Sequence, residues 1–203
     1  MFKQIAGISF LILASLGVAQ ARPAQQPATH LSFSPLTIGL TYNAERAKTT
    51  SSSGCNCFWF QGAAADANWR LWNNLGIAAQ FSGGRASSVS PGVDISKFDF
   101  LFGPRYTWHP PIWEHHKPHS AIFGEFLLGG THAFNTIIPT TSGLSGSATA
   151  FAFQTGVGAN LWLTPRFGLR VLQLDYVYSQ LPNGGNSRQD DLRIATGVIW
   201  RIP

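Results

Sequence analysis

Charged residues are scarce in this sequence: they make up 11% of its 203 residues, whereas an ordinary soluble domain has about 25%. Hydrophobic residues reach 44% and aromatic residues 13%, so the chain has difficulty covering itself with a water-exposed surface. The 14 basic residues exceed the 9 acidic ones only modestly, and they are scattered rather than gathered in a stripe. This distribution gives little support for nucleic-acid binding, and we expect no nucleic-acid partner.

Long hydrophobic runs are also missing, with one exception near the start of the chain. Residues 5–19 form an apolar segment that follows Lys3 and leads into Ala19-Gln20-Ala21, an A-x-A cleavage pattern. The segment is shorter than the roughly 20 residues of a membrane-spanning helix. We therefore expect a signal peptide over residues 1–21 that is cleaved after Ala21, a flexible leader rich in Pro and Gln over residues 22–33, and one domain over residues 34–203.

An exported, apolar chain without a second long run is typical of β-structure that faces lipid. Period-two alternation favours the same interpretation. In residues 190–202, apolar side chains from Leu192 to Ile202 share one face, and Arg193 lies on the opposite face. Residues 97–108 alternate in the same way, with large aromatics opposite Asp99 and Arg105. Because the lumen of a small barrel has no room for so many aromatics, we expect the polar face to line the interior and the aromatic face to contact lipid.

Eight alternating segments are separated by turn residues, which predicts an all-β fold: an eight-stranded antiparallel up-and-down transmembrane β-barrel. The predicted strands cover residues 34–46, 58–71, 75–84, 97–108, 120–133, 148–163, 167–180 and 190–202. Long connections rich in small and polar residues, at 47–57, 85–96, 134–147 and 181–187, alternate with short ones at 72–74 and 163–166. Long outer loops and short periplasmic turns are the expected layout of such a barrel, with both termini in the periplasm.

Aromatic side chains predict an interfacial belt at each end of this barrel. The periplasmic belt consists of tryptophans near the short connections: Trp69, Trp72, Trp108, Trp113 and Trp162. The outer belt consists of Phe58, Trp59 and Phe60, just below the first outer loop.

Several short motifs, in order along residues 34–202, resemble those of a known family. They are Phe102-Gly103-Pro104-Arg105-Tyr106, Phe123-Gly124-Glu125 with Leu128-Gly129-Gly130, Gly156-Val157-Gly158-Ala159-Asn160-Leu161, Gln173 with Asp175-Tyr176, and Arg193 with Thr196-Gly197-Val198. In these the chain resembles the small outer-membrane β-barrels of Gram-negative bacteria, such as the transmembrane domain of outer membrane protein A. The resemblance implies a location in the bacterial outer membrane, contact with its lipid and with the machinery that inserts barrels into it, and an unknown surface partner that binds the loops.

A polar network is expected inside the barrel, because isolated buried charges are costly and must pair. Strand parity places twelve polar residues there: Asp66, Asn68, Arg70, Asp99, Arg105, Glu125, Gln154, Asn160, Gln173, Asp175, Arg193 and Arg201. We expect Arg105 and Arg193 to pair with Asp99, Glu125 or Asp175. The network is either a plug that blocks passage or part of a gated pore, and the narrow lumen of eight strands favours the plug.

A histidine-rich segment raises two chemical alternatives. His109, Glu114, His115, His116 and His119 are residue types that bind zinc, but the prolines among them favour a solvated turn, and we expect no metal or other cofactor. His119, Ser120 and Glu125 also invite comparison with barrels that modify lipid A. Adjacent strand residues point to opposite faces, so His119 and Ser120 do not form a natural catalytic pair.

The only two cysteines, Cys55 and Cys57, are separated by one residue at the end of the first outer loop. Two thiols make half a zinc site, and the C-x-C spacing differs from the C-x-x-C redox motif. Their Cα atoms would lie roughly 6.6 Å apart in an extended chain, at the upper edge of disulfide reach. We expect a local disulfide, with free or intermolecularly paired thiols as the alternatives.

These observations together predict a non-enzymatic outer-membrane barrel with a structural or surface-exposed role, in adhesion or envelope integrity. Three alternatives stay open: a small gated channel, a soluble exported ligand-binding barrel with its faces reversed, and a lipid A-modifying enzyme.

Overall fold

The computed structural model of the chain describes residues 36–48, 57–90, 93–110, 119–140, 143–182 and 187–202. The described residues form strands and their connections. None of them belongs to a helix that is long and apolar enough to cross a bilayer.

Eight antiparallel strands close into one barrel, which confirms the predicted fold class. The strands are β1 (Leu36–Lys48), β2 (Cys57–Trp72), β3 (Leu75–Ser90), β4 (Val93–Trp108), β5 (His119–Thr140), β6 (Gly143–Trp162), β7 (Phe167–Ser179) and β8 (Gln189–Ile202). Each strand pairs with its sequence neighbours, and β1 closes the barrel by pairing with β8 from Leu36↔Ile202 to Arg46↔Leu192. Closure gives every strand two partners, so the sheet has no unpaired edge.

The two ends of the barrel differ in their connections. At one end, β2 and β3 are joined through Asn73 and Asn74, and Asn73 adopts a φ of 38°, which Asn tolerates better than most residues. At the same end, residues 163–166 join β6 to β7, and the Phe167 amide donates to the Thr164 hydroxyl at 2.9 Å. We call this the turn-side end, and the opposite one, where β5 meets β6, the loop-side end.

The prediction of outer loops at residues 85–96 and 134–147 is wrong, because most of these residues continue the strands. β3 extends to Ser90 and β4 begins at Val93, so residues 85–96 are largely a hairpin. β5 extends to Thr140 and β6 begins at Gly143, so residues 134–147 are as well. Ser- and Thr-rich sequence is typical of loops, but paired strands that extend beyond the bilayer do not need apolar side chains. Register shifts within both hairpins explain why the alternation fades there.

Large apolar side chains cover the outside of the barrel. Leu40, Phe100 and Trp200 are 57–58% exposed, and the exposed faces of β4 and β8 are those predicted to contact lipid. The inward faces are largely polar and buried. The alternative of a soluble barrel with reversed faces is therefore wrong, and the arrangement is that of a transmembrane barrel.

Some of the predicted aromatic belt residues point inward instead. Trp69, Trp72 and Trp108 are exposed near the turn-side end, whereas Trp162 is only 7% exposed and faces the interior. Phe60 is likewise buried, so of the predicted outer trio only Trp59 is exposed. For the outer trio the prediction failed because consecutive strand residues cannot share one face. Trp113 lies outside the described residues.

Candidate functional site

The interior of the barrel is the candidate site, and its polar side chains come from all eight strands. Ten of the twelve residues predicted to line it are buried: Asp66, Asn68, Asp99, Arg105, Glu125, Gln154, Asn160, Gln173, Asp175 and Arg193. The other two, Arg70 and Arg201, are half-buried at the turn-side opening. The interior also contains apolar side chains, such as Ile199, Leu101 and Leu127.

Four charged residues form an ion-pair cluster in the turn-side half of the lumen. Arg105 bridges two carboxylates, with Nη1 at 2.7 Å from Asp66 and Nη2 at 2.6 Å from Glu125. Arg170 approaches the other oxygen of Asp66 at 2.6 Å. The Phe123 ring lies against both guanidinium groups, whose Cζ atoms are 4.7 and 4.8 Å from its centroid. This turn-side cluster, Asp66, Arg105, Glu125 and Arg170, therefore holds two positive and two negative charges with an aromatic ring against both cations.

A second cluster occupies the loop-side half of the lumen. It consists of Glu45, Lys97, Asp99, Asp191 and Arg193. Arg193 donates to Glu45 at 2.6 Å and also to Asp99. Lys97 donates to Glu45 and lies 3.6 Å from Asp191. The cluster spans β1, β4 and β8, and all five side chains are nearly inaccessible to solvent.

Glutamine side chains connect the two clusters across the middle of the lumen. Gln154 donates to Glu125 at 2.9 Å and accepts from Arg193 Nη1 at 3.0 Å. Gln80 pairs with Gln154 from the opposite wall, at 3.2–3.3 Å. Gln173 donates to both Glu125 and Asp175, at 3.1 and 2.9 Å. The result is one hydrogen-bonded network across the barrel, in which the low local dielectric strengthens each bond.

Four members of these clusters were not predicted: Glu45, Lys97, Arg170 and Asp191. For three of them the signal was present, since Lys97 shares parity with Asp99, Asp191 shares it with Arg193, and Glu45 alternates with outward apolar residues of β1.

Arg170 could not have been found by parity. Val171 and Leu172 both face outward, and the β7–β8 register shifts between Arg170 and Gln173. This bulge reverses the inward face along β7, so a strict period of two from Gln173 places Arg170 outside the barrel.

Two of the residues considered for lipid A-modifying chemistry, Ser120 and Glu125, lie on opposite faces of β5. Glu125 is buried in the lumen, where it contacts Arg105, Gln154 and Gln173. Ser120 lies five residues away on the same strand and therefore on the other face of β5, where it is half-buried.

The other predicted sites fall partly outside the described residues. Of the histidine-rich segment, residues 111–118 are outside, and His109 is exposed where β4 ends. Within the described ranges, no group of three or more His, Cys, Asp or Glu is arranged to hold a metal ion. Cys57 opens β2, next to Arg46, and is not a free thiol. Cys55 lies outside the described residues, so the Cys55–Cys57 disulfide stays a prediction.

Comparison with known proteins places the fold among small outer-membrane barrels. No family model matches the chain, and no curated protein matches it. Among solved structures, the chain is similar to Ail, the attachment invasion locus protein of Yersinia pestis, with 16% identity and a TM-score of 0.51 over 83% of this chain and 99% of that one. A structure of Ail in complex with the heparin analogue sucrose octasulfate aligns with 18% identity and a TM-score of 0.52, again over 83% and 99%.

Neisserial surface protein A is also similar, with 17% identity and a TM-score of 0.53 over 80% of this chain and 96% of that one. At these identities the likeness is one of fold. It confirms the resemblance to small outer-membrane barrels that the sequence motifs indicated.

Proposed function

We propose that this chain is a non-enzymatic outer-membrane protein whose sealed barrel anchors surface hairpins that contact an external partner. The observation that carries the proposal is the continuous network of ion pairs and glutamines across the lumen. A water-filled pore needs polar walls that stay apart, whereas Arg105, Arg170 and Arg193 here bridge to carboxylates from other strands. The network therefore acts as a plug, and the channel alternative receives no support from it.

The loop-side hairpins supply the surface for a partner. β5 has 22 residues and β6 has 20, about twice the 9–11 that a tilted strand needs to cross a bilayer. Since Trp108 and its partner Ile122 lie at the turn-side belt, the excess length projects beyond the loop-side end. Both strands remain paired out to Thr140↔Gly143, so the projection is a hairpin with a defined shape rather than a loose loop.

The neighbours in fold are consistent with a surface role. Ail is described as an attachment invasion locus protein, and it has been crystallised with a heparin analogue. For this chain we propose attachment or envelope integrity as the role. The membrane-inserted state would require the outer-membrane insertion machinery, after export and cleavage following Ala21.

The proposal is tested by fractionating membranes from a host that expresses the full chain. We expect the protein in the outer-membrane fraction, with an N-terminus at Arg22, and protease added to intact cells should cut within the hairpin at 134–147 while leaving the rest of the barrel intact. Shortening that hairpin should abolish binding of cells to a host-cell or matrix surface without reducing the amount of folded barrel. Recovery of the protein in the soluble periplasm would contradict the proposal, and so would full binding by the shortened variant.

A further inference from the structure

Two arginines at the turn-side opening differ from all the cations deeper in the lumen. Arg105, Arg170 and Arg193 each pair with a carboxylate within 2.7 Å. Arg70, near the end of β2, and Arg201, near the end of β8, face the interior and are half-buried. Neither forms an ion pair with any carboxylate of the described residues, and the buried Nε of Arg201 has no hydrogen-bond partner there.

These two arginines line one cleft. Arg70 is close enough to Arg201 to repel it electrostatically. The Arg201 guanidinium lies over the Trp162 ring, 4.1 Å from its centroid, which holds the group in place through a cation–π contact. Like charges that share a partly desolvated cleft are unfavourable unless an anion lies between them.

One other polar group of the cleft lacks a partner within the part of the chain that the structure describes. The Asn68 side chain is only 8% exposed, and its Oδ1 has no hydrogen-bond partner among the described residues. Rotation of the amide by half a turn would present its NH₂ donors to the cleft instead. Thr37 and Thr107 add hydroxyl groups. The cleft therefore offers hydrogen-bond donors, and none of the described residues that line it is acidic.

We propose that this turn-side cleft binds one small oxyanion of the phosphate type. The planar guanidinium fork donates two parallel hydrogen bonds to such an anion. An anion held by Arg70 and Arg201 would compensate both charges and occupy the unpartnered Nε. The same phosphate chemistry is available from a free anion in the adjoining compartment or from the headgroup of a phospholipid at the opening. The site lies at the end opposite the surface hairpins, so it is independent of their role.

The test is a titration of the folded full chain with inorganic phosphate in non-ionic micelles, followed by NMR at the arginine Nε–H resonances. We expect a saturable shift at Arg201 and competition by sulfate, while chloride at equal ionic strength has no such effect. Arg70→Gln and Arg201→Gln should each weaken binding at least about tenfold, because a hydrogen bond to a charged group contributes about 1.5–3 kcal/mol. Arg85→Gln, which removes a guanidinium paired with Asp94 at 2.5 Å on the outer surface, should leave the affinity unchanged.

A second measurement covers variants that fold poorly. Phosphate should raise the midpoint of thermal unfolding of the unsubstituted protein in a concentration-dependent way, since it binds only the folded barrel. If phosphate fails but short-chain phosphatidylglycerol gives the saturable Arg201 shift, the oxyanion is a lipid headgroup. If neither produces a saturable shift, or if Arg70→Gln and Arg201→Gln bind phosphate as tightly as Arg85→Gln does, the proposed site is refuted.

Discussion

Replacement of Arg105 by glutamine tests whether the turn-side cluster is a set of coupled buried charges. The substitution keeps a polar side chain but removes the cation that contacts Asp66 at 2.7 Å and Glu125 at 2.6 Å. Asp66 retains Arg170 at 2.6 Å, whereas Glu125 retains only neutral donors, Gln154 and Gln173. The cluster would then hold two buried carboxylates and one cation, and the charge of Glu125 would be uncompensated.

The expected cost follows from this loss of compensation. Removing one partner of a buried ion pair destabilises a protein by about 3–5 kcal/mol, and we expect Arg105→Gln to fall in that range. Adding Glu125→Gln removes the orphaned charge, so the double variant should recover about 2 kcal/mol relative to the single one. Arg85→Gln is the matched control, because its pair with Asp94 is exposed to solvent, and it should change the free energy of unfolding by less than about 1 kcal/mol.

The assay is reversible unfolding by chemical denaturant of the barrel inserted in uncharged lipid vesicles, and tryptophan fluorescence monitors the transition. Two results would refute the reasoning. One is an Arg105→Gln variant as stable as Arg85→Gln. The other is a double variant that is no more stable than Arg105→Gln alone, which would mean that Glu125 does not depend on Arg105.

Three further predictions concern other parts of the barrel. A Cβ at Gly103 would lie 2.2 Å from the Phe126 carbonyl oxygen, whereas one at Gly124 would meet nothing closer than 3.9 Å. Gly103→Ala should therefore lower the unfolding free energy by about 1–3 kcal/mol, while Gly124→Ala leaves it nearly unchanged. Equal unfolding midpoints of the two variants in denaturant would contradict this. Phe102→Arg places a charge on an outward side chain that is 56% exposed, on the face expected to contact lipid, and should cost about 2–4 kcal/mol in vesicle unfolding; an unaltered stability would show that this face does not contact lipid. Alkylation mass spectrometry should label Cys55 and Cys57 only after reduction, and labelling without reductant would exclude the disulfide.

Alternation predicted the architecture well because each strand has two chemically different sides. Period-two alternation predicts that the aromatics of β4 are exposed and that Asp99 and Arg105 are buried, once lipid is taken as the solvent outside the barrel. The same parity also marks Glu45, Lys97 and Asp191 as inward residues, although they were not among the twelve predicted.

The predictions failed where the backbone departs from the regular alternation that the sequence pattern assumes. The bulge after Arg170 reverses the inward face of β7, and no residue type at Val171 or Leu172 signals it. Alternation is weak in the hairpin beyond Phe134: residues 143–147 of β6 are exposed or half-buried on both faces, so strand could not be distinguished from loop there. Pair identity was only partly predictable. Arg105 pairs with Glu125 and Arg193 with Asp99, as expected, but β-parity does not select Glu45, 148 positions away in the chain, as a second partner of Arg193.

Conductance in planar lipid bilayers tests most directly the central claim that the barrel is a sealed anchor. The network joins Arg105 and Arg193 to carboxylates across the lumen, so the unsubstituted protein should insert without producing steady unitary currents. Insertion is verified independently by heat-dependent migration on gels and by protease protection. Steady unitary currents through the unsubstituted protein, altered in size by Arg105→Ala, would contradict the account and make the lumen a channel.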